Sequence, residues 1–568
     1  MRRPRRERLL FEPNRSGNVA IGLAYPNRYE VAMGNLGYQA VFRLLATLPG
    51  VLCERLVLEP AGAPSSLESG RAAAAFDILA FSLSFESDYP NVVRMLERAG
   101  IPPRAADRRH SGWPWPLLLA GGPATFLNPE PMAPFFDLFL IGEAEEMLVE
   151  AFAGADRWRD LRAEALLERI AAVEGAYRPD RYRVDYAASG EITGIVALEG
   201  APERVRRRYV ADLDRRPART AVVAPEAVFG DYFLVEASRG CEWGCRFCAA
   251  GFMYRPVRHR AAASVAADAL AGLKEAGTIG LVGAEIASHP AIANTCERIV
   301  AAGGRVSPSS LKADMVSARL AAAIAAGGTK AVTVAPEAGS ERMRRVINKN
   351  LSEEEILRAA DWMVGQGGVE VLKLYFMCGL PLEEAADLDA IVDLTAAVRE
   401  RLVAGGRARG RVGRIRVAIN PFVPKPWTPF QWDAMAEVGE LRRRLGRLRR
   451  GLGRLPNVEV ETESPREAYL QTLLSRGDRR VAPIIEGLAR NPRRWWKVLA
   501  ELRGSRDWEP PDPDFFVTRQ WPADAVFPWD FIDHGIDKRY LWMERRRALS
   551  GRETEPCDVA TCHTCGAC

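Results

Sequence analysis

The stretch YFLVEASRGCEWGCRFCAAG, residues Tyr232–Gly251, joins a strand-like segment to three closely spaced cysteines. Its first residues, YFLVEAS, are mostly apolar and β-forming, which predicts a buried strand. Cys241, Cys245 and Cys248 follow directly. A structural zinc site needs four closed ligands, whereas three thiolates can hold an iron–sulfur cubane and leave one iron open. The stretch therefore favours an iron–sulfur centre at a strand end, with zinc or an incidental group of thiols as the alternative.

A series of alternating strand and helix patterns precedes this stretch. The strand patterns are GNVAIGLAYP, FDILAFSLSF and WPLLLAGGPA, and the helix patterns between them are GYQAVFRLLATLP and YPNVVRMLERAGI. This order predicts an α/β fold with a doubly wound parallel sheet and a linker in residues 1–215. Ligands of such sheets bind beyond the carboxyl ends of the strands, so AGGPATFLNPEP, directly after a strand, is a candidate binding segment.

A second alternating series begins at Tyr232. Its later strand patterns are IGLVGAE, RVSPSSL, KAVTVAPE, VEVLKLYFMCGLP and RIRVAINPFVPKPW, with helical segments between them. Six strand–helix units predict a partial (β/α)6 TIM-type barrel in residues 216–455, with its site at the carboxyl ends of the strands. Residues 456–568 have weaker periodicity, and we expect a small α-rich region that ends in a cysteine-rich tail.

Composition narrows the class of protein. The chain has 568 residues and a formal net charge of +5, which is too small to indicate a nucleic-acid partner. It has no apolar run long enough to span a membrane, and its basic start lacks the apolar segment of an export signal. We therefore expect a cytoplasmic protein without a membrane partner, in which clustered cysteines bind metals instead of forming disulfides.

The end of the chain, CDVATCHTCGAC, contains a second group of cysteines: Cys557, Cys562, Cys565 and Cys568. Four thiolates so close together can enclose one metal centre, and the sequence leaves a second iron–sulfur cluster and a structural zinc open. A disordered terminus with idle thiols is the alternative. The isolated Cys53, Cys296 and Cys378 lie in or near apolar segments, where buried, inert thiols are expected.

The pattern Cys-x-x-x-Cys-x-Phe-Cys, after the first strand of a barrel, resembles the signature of the radical S-adenosylmethionine (radical SAM) enzymes. The resemblance implies a [4Fe–4S] cluster on Cys241, Cys245 and Cys248, whose fourth iron is chelated by the amino and carboxylate groups of SAM. It also implies reductive cleavage of SAM to a 5′-deoxyadenosyl radical, a reductant such as flavodoxin or ferredoxin, and a place for Phe247 near the adenine.

Polar residues at later strand ends fit the same resemblance. Gly283, Ala284 and Glu285, in LVGAE, resemble the GGE motif that binds the SAM amino group. Ser309, Ser310 and Lys312, in SPSSLKAD, lie where the family often contacts the ribose or carboxylate of SAM. Glu337, in APEAG, ends a predicted strand just before a helix. The alternatives are helix-capping carboxylates for the two glutamates and a plain solvated turn for the serines and the lysine.

The N-terminal series resembles the cobalamin-binding-like domain that precedes the barrel in one large radical SAM subgroup. YPNRYEVAMGNLGYQA, FDILAFSLSFESDYPNV and AGGPATFLNPEP together resemble an uncharacterised family of that subgroup. The Asp-x-His-x-x-Gly motif that gives cobalt an imidazole is absent, and His110 is the only histidine before the barrel. Either cobalamin binds without a protein imidazole, or the sheet serves the substrate.

These observations predict a radical SAM enzyme that abstracts hydrogen from an unidentified substrate or alkylates it. A methylthiotransferase would need three more cysteines in the N-terminal part, where only Cys53 is present.

The basic helix LRRRLGRLRRGLGRL, from Leu441, is expected to be a solvated surface helix, with an RNA-contacting face as the alternative. The rival function is accordingly an RNA- or ribosome-associated binding module with a structural or redox cluster.

Overall fold

The structure is a computed structural model that describes residues 6–112, 114–158, 163–198, 200–366, 368–408, 410–503 and 511–567. The strands of the N-terminal part are β1 (Arg8–Leu9), β2 (Val19–Tyr25), β3 (Val51–Val57), β4 (Ile78–Ser82), β5 (Leu117–Gly121), β6 (Leu138–Leu140), β7 (Ala176–Tyr177), β8 (Tyr182–Tyr186), β9 (Ile192–Ala197), β10 (Val205–Arg206) and β11 (Val222–Val223). Its helices are α1 (Tyr29–Gly34), α2 (Leu36–Thr47), α3 (Tyr89–Arg98), α4 (Ala105–His110), α5 (Pro123–Leu127), α6 (Ala144–Ala151) and α7 (Ala163–Ala171).

The strands of the central part are β12 (Tyr232–Glu236), β13 (Ser238–Arg239), β14 (Arg258–His259), β15 (Thr278–Val282), β16 (Arg305–Pro308), β17 (Ala331–Glu337), β18 (Val371–Cys378), β19 (Arg414–Pro421) and β20 (Val458–Thr462). Its helices are α8 (Ala250–Met253), α9 (Ala262–Gly272), α10 (Ile292–Ala301), α11 (Ala318–Ala326), α12 (Glu341–Val346), α13 (Glu353–Asp361), α14 (Ala385–Ala408) and α15 (Val438–Leu452). The remaining elements are α16 (Pro465–Arg476), α17 (Ala482–Arg490), α18 (Trp495–Arg503), α19 (Pro513–Val517), β21 (Ile532–Asp533) and α20 (Lys538–Leu549).

The N-terminal sheet has six strands in the order β3-β2-β4-β5-β6-β7, and only β7 is antiparallel to its neighbour. Its strands are apolar almost throughout, as β2 with VAIGLAY shows, because helices cover both faces. Phe42 of α2 packs on one face, and Val92 of α3 packs on the other. The strand order reverses between β2 and β4, so the switch point where such sheets bind ligands lies at the carboxyl ends of these two strands.

The central sheet contains seven parallel strands in chain order. It consists of β12-β15-β16 and β17-β18-β19-β20, and a parallel bridge between Leu311 and Val334 joins the two groups. Helices α9, α10, α11, α13, α14 and α15 connect successive strands. The predicted α/β architecture, a doubly wound sheet followed by a partial barrel, is confirmed. The sheet has one strand more than the six that were expected. This strand, β20, pairs with β19 at the edge of the sheet and lies beyond residue 455.

The C-terminal helices pack against both preceding parts, and Arg545 of α20 forms an ion pair at 2.8 Å with Asp433 of the central part. Strand β21 pairs with β10, and Arg104 of α4 forms an ion pair with Glu486 of α17 at 2.7 Å. In the described part of the chain, no helix combines the length and the apolar character needed to cross a membrane. Cys53, Cys296 and Cys378 are buried in the core, as predicted. The division of the chain near residues 215 and 455 remains a prediction.

Candidate functional site

The three central cysteines lie on one loop at the carboxyl end of β12. The loop is closed at its base, where β13 pairs with β14 in antiparallel register. Gly240 enters the loop with φ of 85°, and a Cβ there would approach the Tyr254 carbonyl oxygen to 2.6 Å. Only glycine tolerates this conformation and this close approach together. The local fold therefore fixes Cys241, Cys245 and Cys248 beside the mouth of the barrel.

Burial makes the thiol form favourable at all three cysteines. It raises the pKa of Cys245 to about 11, although the nearby Lys349 ammonium lowers it in part. Burial and the neighbouring thiols raise the pKa of Cys241, and burial raises that of Cys248. Thiols bind metals as thiolates. A positively charged metal centre would therefore be needed to ionise these three cysteines.

A buried ion pair faces the cysteines from the end of β17. Glu337 has φ of 67°, a value that is uncommon outside glycine and is often found at functional sites. Its Oε1 lies 3.5 Å from Nζ of Lys349. Burial lowers the pKa of Lys349, but Glu337 and the three thiols outweigh burial and raise it overall. Glu337 was predicted from the sequence to be a site residue, whereas Lys349 was not.

Two positive-φ asparagines place Lys349 in the site. Asn348 has φ of 54° and Asn350 has φ of 47°, so the chain turns sharply on both sides of the lysine. Asparagine tolerates this backbone region better than most residues. The NKN triplet was therefore a usable signal of a tight turn, although it could not show what the turn would face.

Glu285 binds main-chain groups. Its Oε2 accepts a hydrogen bond from the Ser288 amide at 2.6 Å, and its Oε1 accepts from the amides of Ala287 at 3.1 Å and Lys312 at 3.3 Å. The carboxylate thereby ties the end of β15 to the segment after β16. Burial raises the pKa of Glu285, and these amide donors offset part of the increase. Glu285 does not cap a helix, because these amides belong to a turn and to the segment after β16, and α10 begins only at Ile292.

The serine–lysine segment after β16 is also largely engaged with the protein. The Ser309 hydroxyl donates to the Gly283 carbonyl at 2.9 Å, whereas Ser310 is exposed. Lys312 is buried, and its ammonium lies 3.6 Å from the ring centroid of Trp243, between two of the cysteines. Lys312 therefore supports the cysteine loop through a cation–π contact.

Unpaired polar atoms collect around Lys312. Its ammonium also contacts the Asp314 carboxylate and the Asn350 carbonyl oxygen, the latter at 3.3 Å. Among the described residues, Nε1 of Trp243, Oδ1 of Asp314 and Oδ1 of Asn350 are buried without a hydrogen-bond partner. Buried polar atoms normally have partners, so this group is suited to a polar ligand.

Phe247 lies between Cys245 and Cys248 in sequence but faces an apolar cluster. This cluster contains Met343, Ile347, Leu380 and Phe422. The ring therefore anchors the cysteine loop to α12 and to the ends of β18 and β19. Its predicted position near an adenine remains a prediction.

The C-terminal tail covers the cysteine loop. The Cys557 amide donates to the Glu242 carbonyl oxygen at 2.8 Å. Asn348 donates to the carbonyl oxygens of Gly244 at 3.1 Å and Thr554 at 3.2 Å. The fully buried Arg246 donates to the Arg552 carbonyl oxygen at 2.7 Å. The structure thus brings the two cysteine groups together, which their sequence separation did not predict. Cys568 lies outside the described residues.

A cavity of about 610 Å³ lies between the N-terminal sheet and the barrel. Its inner part is apolar and lies between α2 and the sheet, where Leu23, Ala40 and Leu148 line it. Its outer part reaches Gly240 of the cysteine loop and Gly283 and Ala284 after β15. Gly122, at the end of β5, also borders it with φ of 111°. Among the described residues that line this cavity there is no histidine, and His110 lies elsewhere.

A buried glutamate joins the two parts of the molecule at the cavity wall. Glu143, after β6, lies 2.8 Å from the Arg258 guanidinium and 2.9 Å from that of Arg239. It also accepts a hydrogen bond from the Val210 amide at 2.8 Å. Burial opposes ionisation of Glu143, but Arg239 and Arg258 outweigh it and lower the pKa overall. The carboxylate is therefore held ionised between the sheet and the base of the cysteine loop.

The basic helix α15 packs on the barrel through its leucines. Leu441, Leu445, Leu448 and Leu452 are buried. Ion pairs join Arg443, Arg444 and Arg447 to Glu440, Glu383 and Asp389 respectively. This geometry is that of a solvated surface helix, in which these three arginines have partners within the protein.

Within the described ranges, no three Cys, His, Asp or Glu side chains are placed to share a single metal ion. A cubane cluster does not require this arrangement, since each of its thiolate ligands binds a different iron. The cysteine loop brings three thiols together and has, beside them, buried polar atoms without hydrogen-bond partners.

Comparison with known proteins gives matches on both sides of the linker. A model described as radical SAM proteins, N-terminal, matches residues 37–179, and the radical SAM superfamily model matches residues 235–395. The uncharacterized protein MJ0966 of Methanocaldococcus jannaschii is 29% identical over 421 residues, which is 73% of this chain and 81% of that protein.

Two solved structures are also similar. The cobalamin-dependent S-adenosylmethionine radical enzyme OxsB matches with a TM-score of 0.45 and 14% identity, over 66% of this chain and 51% of that one. The chain thus spans about half the length of OxsB. The radical S-adenosylmethionine methyltransferase TsrM from Kitasatospora setae matches with a TM-score of 0.45 and 14% identity, over 70% and 72%. Because the superfamily match includes all three cysteines of the loop, the chain belongs to the radical SAM superfamily of enzymes.

Proposed function

We propose that the protein cleaves SAM reductively at a [4Fe–4S] cluster on Cys241, Cys245 and Cys248 and uses the resulting radical to modify a substrate. The observation that carries this proposal is the three thiols on one loop at a barrel mouth, beside buried polar atoms without partners. When bound, the cluster and SAM supply a 5′-deoxyadenosyl radical. The protein supplies ligands, orientation and exclusion of water.

The polar atoms around Lys312 support a place for the polar end of SAM. They comprise one donor, on Trp243, and two acceptors, on Asp314 and Asn350. A donor suits a carboxylate or hydroxyl oxygen, and acceptors suit an ammonium or hydroxyl group. Glu285 would act mainly by fixing this segment, because it already accepts from the Lys312 amide. Gly283 and Ala284 have small side chains and would leave room for SAM beside this segment.

Lys349 and Glu337 would hold opposite charges next to the cluster. The ammonium would compensate part of the negative charge of the thiolates, which is costly in a buried site. Glu337 would keep the ammonium in place. In this assignment both are positioning residues of the cluster, and neither is a ligand.

We further propose that cobalamin binds in the cavity between the N-terminal sheet and the barrel. The fit rests on an apolar slot between α2 and the sheet, at the switch point, whose mouth opens at the cysteine loop. Cobalamin would bind without a protein imidazole, since none of the described lining residues is a histidine. When bound, it would supply alkyl-transfer chemistry next to the SAM site. The substrate itself would reach the same mouth.

Anaerobic reconstitution tests the main proposal. Iron and sulfide are counted, and 5′-deoxyadenosine is measured after addition of dithionite and SAM, then with flavodoxin or ferredoxin as reductant. We expect Cys245→Ala to abolish nucleoside release. Cys296→Ala, which removes a buried thiol far along the chain, should retain it. Equal release by Cys245→Ala and the unsubstituted protein would refute the assignment.

Incubation with hydroxocobalamin followed by desalting tests the second proposal. Retention of corrin absorbance at about one equivalent per chain is expected, because the proposal places one cobalamin in this cavity. Complete loss of the absorbance on desalting would remove cobalamin from the proposed function while leaving SAM cleavage intact.

A further inference from the structure

We infer that the outward face of α20 is a docking surface for an acidic electron-transfer protein that supplies the cysteine loop with electrons. The inference rests on the proposed function, in which the cleavage of each SAM consumes one electron and the donor is oxidised by one electron. Helix α20 (Lys538–Leu549) has one face on the cysteine loop and the other in solvent. It therefore lies between the proposed cluster and a partner in solution.

The inner face of α20 contacts the cysteine loop through polar side chains. The Glu544 carboxylate forms an ion pair with the Arg246 guanidinium at 3.1 Å, and both side chains are fully buried. One turn earlier in the helix, the ring centroid of Tyr540 lies 5.9 Å from the guanidinium carbon of Arg255, which follows the loop. Two successive turns of α20 are thus fixed against the segment that carries the three thiols.

The last turn of α20 reaches the same region through an apolar contact. Ala548 belongs to the buried cluster of Met343 and Leu380, and Phe247 of the cysteine loop packs against this cluster. A helix with its side chains is about 10 to 12 Å across. One helix thickness therefore separates the loop from solvent on this side, and a partner bound to the outer face would lie close to the three thiols.

The outer face of α20 combines positive charge with apolar side chains. Arg539, Met543 and Arg546 are exposed and follow one another at helical spacing, and the exposed Leu549 lies one turn beyond Arg546. Met543 is 41% exposed and Leu549 is 49% exposed. Met and Arg are enriched at protein–protein interfaces, so this composition is typical of a surface that binds another protein.

The positive charge of this face is not balanced within the protein. The only acidic residue of α20, Glu544, is buried. Three basic residues of the helix have carboxylate partners: Lys538, Arg545 and Arg547. Arg539 and Arg546 form no ion pair with any residue that the structure describes, and neither do the exposed Glu553 and Glu555 of the tail. Unpaired cations beside apolar side chains suit an acidic partner, whereas a second copy of this chain would present like charge.

The size of the face suits a short-lived complex. Helix α20 has 12 residues, which corresponds to a length of about 18 Å. Complexes between electron-transfer proteins are typically small, with less than about 1,200 Å² of buried surface. Attraction between opposite charges speeds the encounter of such partners without requiring a large interface. A small acidic electron carrier such as a flavodoxin is therefore the partner that this face fits.

Binding of oxidised flavodoxin to the full-length protein tests the inference without depending on activity. The dissociation constant is measured at low and at physiological ionic strength for the unsubstituted protein and for Arg546→Glu. We expect this substitution to weaken binding by about tenfold or more and to reduce its dependence on salt. Arg298→Glu, at an exposed arginine of α10, is the matched charge reversal, and its effect should stay below about twofold.

Equal affinities of Arg546→Glu and Arg298→Glu for flavodoxin would overturn the inference. Binding of a single-stranded RNA that depends on Arg546, without binding of flavodoxin, would overturn it as well. Dithionite needs no docking surface, so 5′-deoxyadenosine release with dithionite should be the same in Arg546→Glu and the unsubstituted protein. Absence of that release in both proteins would count against the proposed function, while the dissociation constants would still decide whether α20 binds the electron carrier.

Discussion

Lys349 places a positive charge beside the three cysteines of the central site. Replacing it by methionine keeps the length of the side chain and removes the ammonium that faces the three thiols. We expect Lys349→Met to reduce 5′-deoxyadenosine formation by about tenfold to a hundredfold, as the loss of supporting groups at metal sites does. The cluster's reduction potential should also fall, because a nearby cation favours the reduced, more negative state.

Lys330→Met is the control for this change, since that side chain is 72% exposed and pairs only weakly with Glu370 at 3.7 Å. Spectroelectrochemical titration of the cluster measures the effect directly. An unchanged potential in Lys349→Met, with iron content intact, would contradict the role given to the ammonium.

Asp88 gives a pH dependence of stability. Burial raises its pKa from 3.8 to about 6, although Asn27 donates to it at 2.8 Å. Because the pKa is higher in the folded protein, the contribution of Asp88 to the free energy of unfolding is fully present below pH 3.8 and is lost as the pH rises through about 6. We expect Asp88→Asn to equal the unsubstituted protein well below pH 3.8 and to be more stable by roughly 2 to 3 kcal/mol at pH 7.

Urea unfolding at several pH values measures this difference. Asp389→Asn, at a carboxylate whose side chain is 53% exposed, should show no comparable trend between the same pH values. A constant difference between Asp88→Asn and the unsubstituted protein across the range would show that the carboxylate does not titrate as proposed.

The sequence was sufficient to predict the grouping of the central cysteines, but it was not sufficient to predict the residues that surround them. The spacing of the three central cysteines was sufficient to predict their grouping, because it is local. Lys349 and Arg255 could not be found in this way, since what matters is the group each faces across the fold. Glu285 shows the same limit: its strand-end position was predicted, but one of the amides that it binds, that of Lys312, belongs to a different strand connection.

At the scale of elements, helix α2 and the N-terminal sheet define the inner part of the cavity. Ala40 of α2 lines it, and a tryptophan there would occupy the apolar slot. We expect Ala40→Trp to weaken cobalamin binding by roughly tenfold to a hundredfold, because the indole ring would occupy space that the ligand needs and would have to be displaced for it to bind. The cluster on the cysteine loop should be unaffected.

Spectrophotometric titration with hydroxocobalamin measures the affinity. Ala397→Trp, at a half-buried alanine of α14 that does not line the cavity, is the matched substitution. If Ala40→Trp bound cobalamin as tightly as Ala397→Trp, the cavity would not be the binding site.

The elements themselves were the most predictable part of the fold. Parallel strands buried on both faces read as continuous apolar runs, and the helices between them have helical periodicity. The strand β20, with VEVET, was not predicted because it is half-exposed at the sheet edge and alternates polar residues. Its pairing with β19 depends on tertiary contact more than on its own sequence.

At the scale of the whole molecule, Glu143 is a buried polar link between the sheet and the barrel. Glu143→Gln would leave the buried Arg258 without its carboxylate, whereas Arg239 would keep its ion pairs with Glu145 and Glu236. We expect a loss of about 3 to 5 kcal/mol in the free energy of unfolding, as for other broken buried pairs. Denaturant unfolding followed by fluorescence measures it.

Glu174→Gln is the comparison, because that side chain is 49% exposed and its ion pairs with Arg206 and Arg208 are 3.5 Å and 3.7 Å long. Its effect should stay below about 1 kcal/mol. Similar losses for both variants would mean that Glu143 does not join the two parts.

The arrangement of the parts was predictable only in outline. A sheet followed by a barrel follows from two alternating series, but the docking of one on the other depends on single contacts such as Glu143 with Arg258. The return of the chain's last helix and tail to the barrel mouth had no local signal, since residues near 242 and 557 meet only in the folded chain.

The hydrogen bond from Cys557 to Glu242 also sets an order for maturation. During synthesis the first cysteine loop is complete long before the segment that closes over it has left the ribosome. The loop is therefore uncovered in the nascent chain and covered by the tail in the folded protein. We expect the proposed cluster to be inserted more readily before the tail docks than after it.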